Sequence, residues 1–190
     1  MLDICRSKLE RASIKSDKVK LGLGDISDFR LDYRFDLAIA PFRVFQNLET
    51  DEEVQGLFRS VRTHLTEDGS CILTAFMPKY DRERLFEVWS NTDEVFNWEV
   101  EIDGRKLTRH HRNIGFDVDR LIVYPELIYR LYEDGDLADE AVLPIAMRCY
   151  YPEEFLGIAE QNGFRVTAKW GGYAGETFGE GPELIMEVRP

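Results

Sequence analysis

Two polar residues stand directly after apolar, strand-like runs. Asp25 follows the alternating run Val19–Leu23, and Arg43 comes soon after the apolar run Phe35–Ala40. Because α/β proteins bind ligands outside the carboxyl ends of their strands, both side chains are candidates for ligand contact. An arginine at that edge can bind a carboxylate or a phosphate. The alternatives are that Asp25 caps its own turn beside Ser27 and that Arg43 is an ordinary surface residue.

Two other patterns invite a functional interpretation but have the wrong spacing. Gly22 and Gly24 are similar to the start of a dinucleotide-binding loop, yet Ser27 occupies the third glycine position and no helix begins there. His110 and His111 are adjacent, so on a strand they point to opposite faces and cannot ligate one metal ion. The basic residues around them fit a solvated hairpin or a contact with an acidic substrate. We expect no metal site, and no catalytic residue stands out.

Composition indicates one acidic, globular, cytoplasmic domain. The 190 residues, 44% of them hydrophobic, suffice for a single core, and a net charge of −12 argues against nucleic-acid binding. The N-terminus lacks the apolar segment of a signal peptide, and no apolar run approaches about 18 residues, so no membrane contact is expected. Cys5, Cys71 and Cys149 show no paired spacing, which favours reduced thiols and a cytoplasmic location.

The elements that would position these residues alternate between helix and strand. Thr50 and Glu53 form a capping box that starts one helix, and Phe35–Ala40 is apolar enough to be a strand covered on both faces. The predicted elements, in chain order, are a helix at 1–12, strands at 19–23 and 35–40, a helix from 51 to about 66, a turn at 67–70, a strand at 71–76 and a helix at 82–89. This order predicts α/β layering with right-handed crossovers.

The pattern changes between residues 97 and 147. Strand-like runs there are interrupted at Asp103–Gly104 and Asp134–Gly135, both hairpin signals. We predict an antiparallel insertion at 97–147 that covers the ligand edge, inside a single domain of 1–190. After it, a helix should begin at Pro152 and end before Gly163. Two antiparallel strands, at 164–170 and 183–188, complete the predicted sheet.

Four segments, taken in order, resemble a known family. They are VKLGLGDISDF (Val19–Phe29), FDLAIAPFRVFQNL (Phe35–Leu48), LFRSVRTHLTEDGSCILTAF (Leu57–Phe76) and RCYYPEEFLGIAEQNGFRV (Arg148–Val166). They are similar to consecutive motifs of class I S-adenosylmethionine-dependent methyltransferases, and the last is similar to the small-molecule members. The resemblance implies an α/β, Rossmann-like methyltransferase sheet with S-adenosylmethionine as the cofactor.

The resemblance also implies which residues contact the cofactor. These are Asp25, Ile26, Ala40, Pro41, Phe42, Phe45 and Gln46. The first two match an adenine site, in which the carboxylate accepts from the adenine amine and the isoleucine packs on the ring. The next three match a loop against the methionine part of the cofactor, and the last two match the start of the following helix, beside the sulfonium.

A further set corresponds to the place where this family covers its methyl acceptor. It comprises Arg43, Tyr80, Tyr129, Tyr150 and the 97–147 insertion. The resemblance therefore implies a small-molecule acceptor. The segment Ala40–Phe42 differs from the Asn/Asp-Pro-Pro-aromatic loop of enzymes that methylate nucleobase amines, which weakens a DNA-methylase interpretation.

One departure from the family concerns the start of the sheet. The glycine-rich loop after the family's first strand and the acidic ribose-binding residue after its second have no match, and Met1–Leu2 aligns with the helix after that second strand. We therefore expect a sheet without its first two strands. In the family order (third, second, first, fourth, fifth, seventh, sixth) this leaves Phe35–Ala40 unpaired on one side. Val19–Leu23 could fill the gap, as could a homo-oligomeric strand swap or a segment outside this sequence.

Two functional hypotheses follow from the sequence. The first is an S-adenosylmethionine-dependent methyltransferase acting on a small molecule by in-line displacement, possible without a dedicated general base because the protein supplies alignment and desolvation. The second is a methyltransferase-like domain that no longer catalyses and serves as a binding or structural module. A nicotinamide oxidoreductase would need the glycine-rich loop that the sequence does not contain.

Overall fold

The computed structural model describes residues 1–15 and 17–190. Its helices are α1 (Leu2–Arg11), α2 (Asp51–His64), α3 (Arg82–Trp89) and α4 (Pro152–Gln161), with a short 3-10 turn at Val44–Asn47. Its strands are β1 (Phe35–Ala40), β2 (Leu65–Phe76), β3 (Val95–Ile102), β4 (Arg105–Asp117), β5 (Ile122–Glu133), β6 (Asp136–Pro144), β7 (Met147–Arg148), β8 (Arg165–Trp170) and β9 (Glu183–Arg189). No helix among the described residues is long and apolar enough to cross a membrane.

The first sheet has the strand order β1-β2-β9-β8. β1 and β2 are parallel and joined by α2, whereas β9 runs antiparallel to both of its neighbours. This is the predicted order of fourth, fifth, seventh and sixth strands, so the α/β prediction is confirmed. α2 begins where predicted because the Thr50 side chain accepts from the Glu53 amide while Glu53 accepts from the Thr50 amide.

The hydrophobic core lies between this sheet and helices α2 and α4. Its fully buried members are Phe45, Ala75, Phe155, Ala159, Leu184, Met186 and Val188, all at 0% exposure. Residues of β2 and β9 dominate because these central strands are covered, whereas β8 alternates between exposed and half-buried positions.

Three local predictions were wrong. Val19–Leu23 is not a strand, and Leu23 is 93% exposed. An alternating pattern does not form a strand unless a neighbouring strand pairs with it. Among the described residues β1 pairs with β2 alone, so Val19–Leu23 has no strand beside it. The predicted turn at 67–70 lies within β2, as an irregularity in its pairing with β1. β1 is covered on one face only: Ala38 and Ala40 face the core, while Phe35, Leu37 and Ile39 are 37%, 52% and 62% exposed.

The second sheet confirms the predicted antiparallel insertion. Its strand order is β3-β4-β5-β6, and β7 pairs with the start of β5. Both predicted hairpin turns form, with φ of 52° and 75° at Asp103 and Gly104 and 51° and 91° at Asp134 and Gly135. Such a pair of left-handed residues matches the twist of a two-residue hairpin. The base of this sheet packs on α3 through an apolar cluster, whereas β3 and β6 contain no buried residue.

Thiol reactivity should separate the three cysteines. Cys71 and Cys149 are buried, and burial raises the pKa of each thiol to about 12, so very little of either is thiolate near neutral pH. Cys5 is exposed on α1. We expect a chromogenic disulfide reagent to titrate one thiol rapidly in the native protein and three in denaturant. Rapid titration of more than one thiol in the native protein, or of any thiol in native Cys5→Ser, would contradict the packing described.

Candidate active site

The carboxyl end of β1 leads into a strained turn. Phe42 and Arg43 have φ of 56° and 62°, the left-handed region that costs non-glycine residues energy. Phe42 is 93% exposed although it is a large apolar residue. These two left-handed residues follow a parallel strand, at the edge where α/β proteins bind ligands. Their conformation exposes the Phe42 ring to a ligand at this edge.

The turn is held in this conformation by residues of the two neighbouring strands. The amide of Arg43 donates to the Thr74 hydroxyl (3.1 Å), which in turn donates to the carbonyl of Ala40 (3.1 Å). The guanidinium of Arg43 forms a two-point pair with Glu183, whose carboxylate is nearly buried; the Nε–Oε2 distance is 3.0 Å. The hydrogen bond to Glu183 raises the pKa of Arg43. Both the backbone amide and the guanidinium of Arg43 are thus engaged in hydrogen bonds within the protein.

Beneath the turn, Phe45 and Gln46 are buried at 0% and 1% exposure. The ring of Phe45 lies 5.3 Å from that of Tyr150 and 5.7 Å from that of Phe155, centroid to centroid. Gln46 accepts from the Phe76 amide (2.9 Å) and donates to the Arg148 carbonyl (2.7 Å). In this structure both side chains face the core, so they support the turn from below, and their predicted contact with a cofactor stays a prediction.

Asp25 lies on a loop that packs against α2. Its Oδ1 accepts from the amide and the hydroxyl of Ser27, at 2.8 and 2.7 Å, and these bonds lower the pKa of the carboxyl. This is the turn-capping alternative that the sequence left open, and no strand precedes Asp25 among residues 1–15 and 17–24. The loop approaches closely at Gly56, where a Cβ atom would lie 2.4 Å from the Ser27 carbonyl oxygen. Ile26, next in sequence, packs against the main core.

Asp25 and the turn lie at the same end of the domain. Asp25 lies close enough to Glu53, in the first turn of α2, for its negative charge to oppose ionisation of the Glu53 carboxyl. α2 is the helix that the chain reaches from β1 through the strained turn. A cavity of about 920 Å³ borders the loop and is lined by Asp25, Ile26, Phe29, Tyr33 and Phe35 among others. The loop and the turn thus flank the start of α2.

The tyrosines predicted for the acceptor site are not brought together. Tyr150 is buried in the core, and burial raises the pKa of its hydroxyl, which has no hydrogen-bond partner in the described part of the chain. Tyr129 lies on the second sheet, 6.3 Å from the ring of Trp98. Tyr80 is 45% exposed beyond β2, and its carbonyl accepts from the Tyr151 hydroxyl. Of the three, Tyr80 alone presents an exposed ring close to the first sheet.

The second sheet meets the turn at its base. The side chain of Asn47 donates to the Ala146 carbonyl at 2.9 Å, beside the bond from Gln46 to Arg148. These bonds fix the end of the insertion beside the turn. Whether the outer part of the insertion covers the ligand edge stays a prediction.

Sequence reasoning missed Thr74 and Glu183, which fix the turn. Glu183 is 140 residues from Arg43, so no local pattern connects them. Tyr173, 74% exposed in the glycine-rich segment before β9, was also missed, although it lies near Arg43. No cluster of three or more potential metal ligands occurs among residues 1–15 and 17–190.

Solved structures with a similar fold identify the architecture. An S-adenosylmethionine-dependent methyltransferase from Clostridium acetobutylicum superposes with a TM-score of 0.77 at 15% identity, over 99% of this chain and 70% of that one. The fold is that of S-adenosylmethionine-dependent methyltransferases. The CcbJ methyltransferase from Streptomyces caelestis gives 0.74 at 20% identity, over 100% and 75% of the two chains. An amino pentose methyltransferase, CalS10 from Micromonospora echinaspora, gives 0.61 at 19% identity, over 88% and 63%.

At the level of sequence there is no such match. No protein-family model and no curated protein sequence matches this chain. The methyltransferase fold is therefore established by its geometry. Within that fold, Pro41–Arg43 lies at the carboxyl end of the parallel pair β1 and β2, the edge at which open α/β sheets bind ligands.

Proposed function

We propose that this protein is an S-adenosylmethionine-dependent methyltransferase that acts on a small molecule. The observation that carries the proposal is the strained turn at Phe42 and Arg43, held by Thr74 and Glu183 at the ligand edge of a methyltransferase fold. Strained backbone persists where the surroundings determine it, and it concentrates at functional sites. The three free cysteines fit a cytoplasmic enzyme.

The described residues have groups that suit the cofactor. Both hydrogen bonds to Asp25 reach Oδ1, so Oδ2 has no partner in the described part of the chain. The lowered pKa keeps this carboxyl ionised and able to accept from the adenine amine. Ile26 would pack on the adenine ring, and Ala40, Pro41 and Phe42 would lie along the methionine part. The cofactor supplies an activated methyl group.

In the proposed reaction, the acceptor atom forms a bond to the methyl carbon while the carbon–sulfur bond breaks. The products are the methylated acceptor and S-adenosylhomocysteine, and the proton of the acceptor leaves to solvent. The protein aligns the two reactants and excludes water. The hydrogen bonds of Glu183 and Gln46 hold the turn in place, and a fixed turn would keep the two reactants aligned.

The acceptor is proposed to be a small polar molecule. Two of the similar structures are described as an amino pentose methyltransferase and a sugar N-methyltransferase. In this chain Tyr80 and the exposed ring of Phe42 offer surfaces on which a sugar or similar ring can stack, and the exposed Tyr173 lies near Arg43, the next residue after Phe42. Tyr129 and Tyr150 are less suited, since one lies on the second sheet and the other is buried.

One observation favours the alternative of a non-catalytic binding module. β1 exposes Phe35, Leu37 and Ile39 on one face, an apolar surface suited to another polypeptide. A calorimetric titration with S-adenosylhomocysteine, using the protein at its full natural length, separates the two hypotheses. Micromolar binding together with methyl transfer to amino sugars supports the enzyme, and no binding at millimolar ligand supports the module.

Replacing Asp25 with alanine should weaken S-adenosylmethionine binding by about tenfold, because the carboxylate that accepts from the adenine amine is lost. Calorimetry on a protein that binds the cofactor measures this change. Asp28→Ala is the matched control, because Asp28 lies on the same loop and its side chain is 77% exposed. Equal affinities of Asp25→Ala and the parent protein would remove Asp25 from the site.

A further inference from the structure

Helix α2 buries three residues that are not apolar side chains of the core: Gly56, Ser60 and His64. They follow one another at intervals of four residues, so they form one stripe along the helix. The apolar residues that α2 contributes to the core lie on a different stripe. The stripe Gly56–Ser60–His64 instead meets the loop that carries Asp25. We call these three residues the clasp.

The first two members of the clasp hold Ser27, two residues after Asp25. The Ser60 hydroxyl donates to the Ser27 carbonyl at 3.4 Å. A Cβ atom at Gly56 would lie 2.4 Å from the same oxygen, so only glycine lets the loop lie this close. Glycine destabilises a helix interior relative to alanine, and the close approach of the loop accounts for its presence here. Because Ser27 itself donates to Asp25, the clasp is linked to the carboxylate.

His64 holds the other end of the loop. Its Nε2 accepts from the Leu31 amide at 2.8 Å, and its Nδ1 lies 2.7 Å from the Ser60 carbonyl oxygen. Because a carbonyl only accepts, Nδ1 carries the hydrogen and Nε2 is the acceptor. The ring also packs on that of Phe29, with 4.8 Å between the centroids. The loop from Asp25 to Leu31 is thus fixed to α2 at both ends.

We propose that the clasp positions the adenine-binding loop and that His64 and Gly56 thereby set the affinity for S-adenosylmethionine. The proposal rests on the proposed function, in which Asp25 accepts from the adenine amine. Residues 17–34 form no helix or strand, so the contacts with α2 take the place of sheet hydrogen bonds in fixing this loop. A loop that is already ordered loses less conformational freedom when the ligand binds, which strengthens binding.

Gly56→Ala tests the close approach, because the added methyl group must displace Ser27. Calorimetric titration of the protein at its full natural length with S-adenosylhomocysteine should show a dissociation constant raised more than about tenfold. Thr63→Ala is the matched control: Thr63 is an exposed residue of the same helix, and its hydroxyl donates to the Arg59 carbonyl. It should change the dissociation constant less than about twofold. Circular dichroism confirms that each variant is folded.

Two replacements of His64 separate its hydrogen bond from its packing. Glutamine offers an amide oxygen as acceptor for the Leu31 amide, whereas phenylalanine keeps the aromatic contact with Phe29 and offers no acceptor. We expect His64→Phe to raise the dissociation constant about tenfold and His64→Gln to raise it less than about threefold. In the active enzyme the KM for S-adenosylmethionine should rise while kcat stays the same, because the clasp does not touch the reacting atoms.

Amide hydrogen exchange tests the clasp without a ligand. The Leu31 amide should exchange at least about tenfold faster in His64→Phe than in the wild type, and at a rate near the wild-type value in His64→Gln. Unchanged exchange in His64→Phe would overturn the clasp. So would a wild type that binds S-adenosylhomocysteine no more tightly than Gly56→Ala and His64→Phe, and in that case the proposed function stands. A loss of kcat in step with KM would give His64 a role in the fold alone. A wild type that does not bind at all would overturn the proposed function, and with it the role of the clasp in affinity.

Discussion

Replacing Gln46 with leucine is expected to lower the free energy of unfolding by about 2–5 kcal/mol. The leucine fills a similar volume but leaves two backbone groups, the Phe76 amide and the Arg148 carbonyl, without their hydrogen-bond partner. An unsatisfied buried polar group costs about 1–3 kcal/mol, and here two are lost at one position. Urea denaturation followed by circular dichroism measures the change. The same variant should lose cofactor affinity, because the turn above Gln46 loses its support.

The neighbouring residue provides the control. Asn47 also carries an amide and also donates to a carbonyl of the insertion, that of Ala146, but it is exposed. Water can replace the bond that Asn47→Leu removes, so we expect a loss below about 1 kcal/mol. Equal losses for Gln46→Leu and Asn47→Leu would show that burial of the amide is not what makes Gln46 important.

The sequence predicts the parts of the fold whose causes are local. The capping box at Thr50 and Glu53 sets the start of α2 within four residues of chain. The two Asp–Gly turns require left-handed backbone, and both adopt it. β1 was recognised because five of the six residues of Phe35–Ala40 are apolar and turn signals bound the run. In each case the residues that determine the structure are the residues that carry the signal.

The parts that were missed depend on contacts between distant residues. Val19–Leu23 has the alternation of a strand, but pairing with a neighbour decides whether a strand forms, and β1 pairs elsewhere. The burial of Gln46 depends on carbonyl and amide groups 102 and 30 residues away. Arg43 was interpreted as a ligand contact because the sequence does not show that its guanidinium already pairs with Glu183.

The candidate site shows the same division. Its candidate position can be proposed from the sequence, since ligands bind outside the end of an apolar strand in α/β chains. Its construction was not, because the strain at Phe42 and Arg43 depends on Glu183 at the start of β9. A strained turn requires a partner that over-determines it. The partner of Arg43 is therefore the residue whose role is most informative to test.

Replacing Arg43 with alanine is expected to cost about 2–4 kcal/mol of stability. The Glu183 side chain is 10% exposed, so removing the guanidinium leaves a nearly buried carboxylate without its charge partner. Breaking a fully buried pair costs about 3–5 kcal/mol, and we lower the value because the Arg43 side chain is 46% exposed and water can enter. Thermal and urea unfolding measure the loss.

Glu183→Gln should cost about 1 kcal/mol, since the arginine left behind can turn into solvent. Adding Glu183→Gln to Arg43→Ala should then restore stability, because it removes the unpaired charge. A double variant less stable than Arg43→Ala would mean that the carboxylate itself, and not its pairing with Arg43, holds the turn at the end of β1.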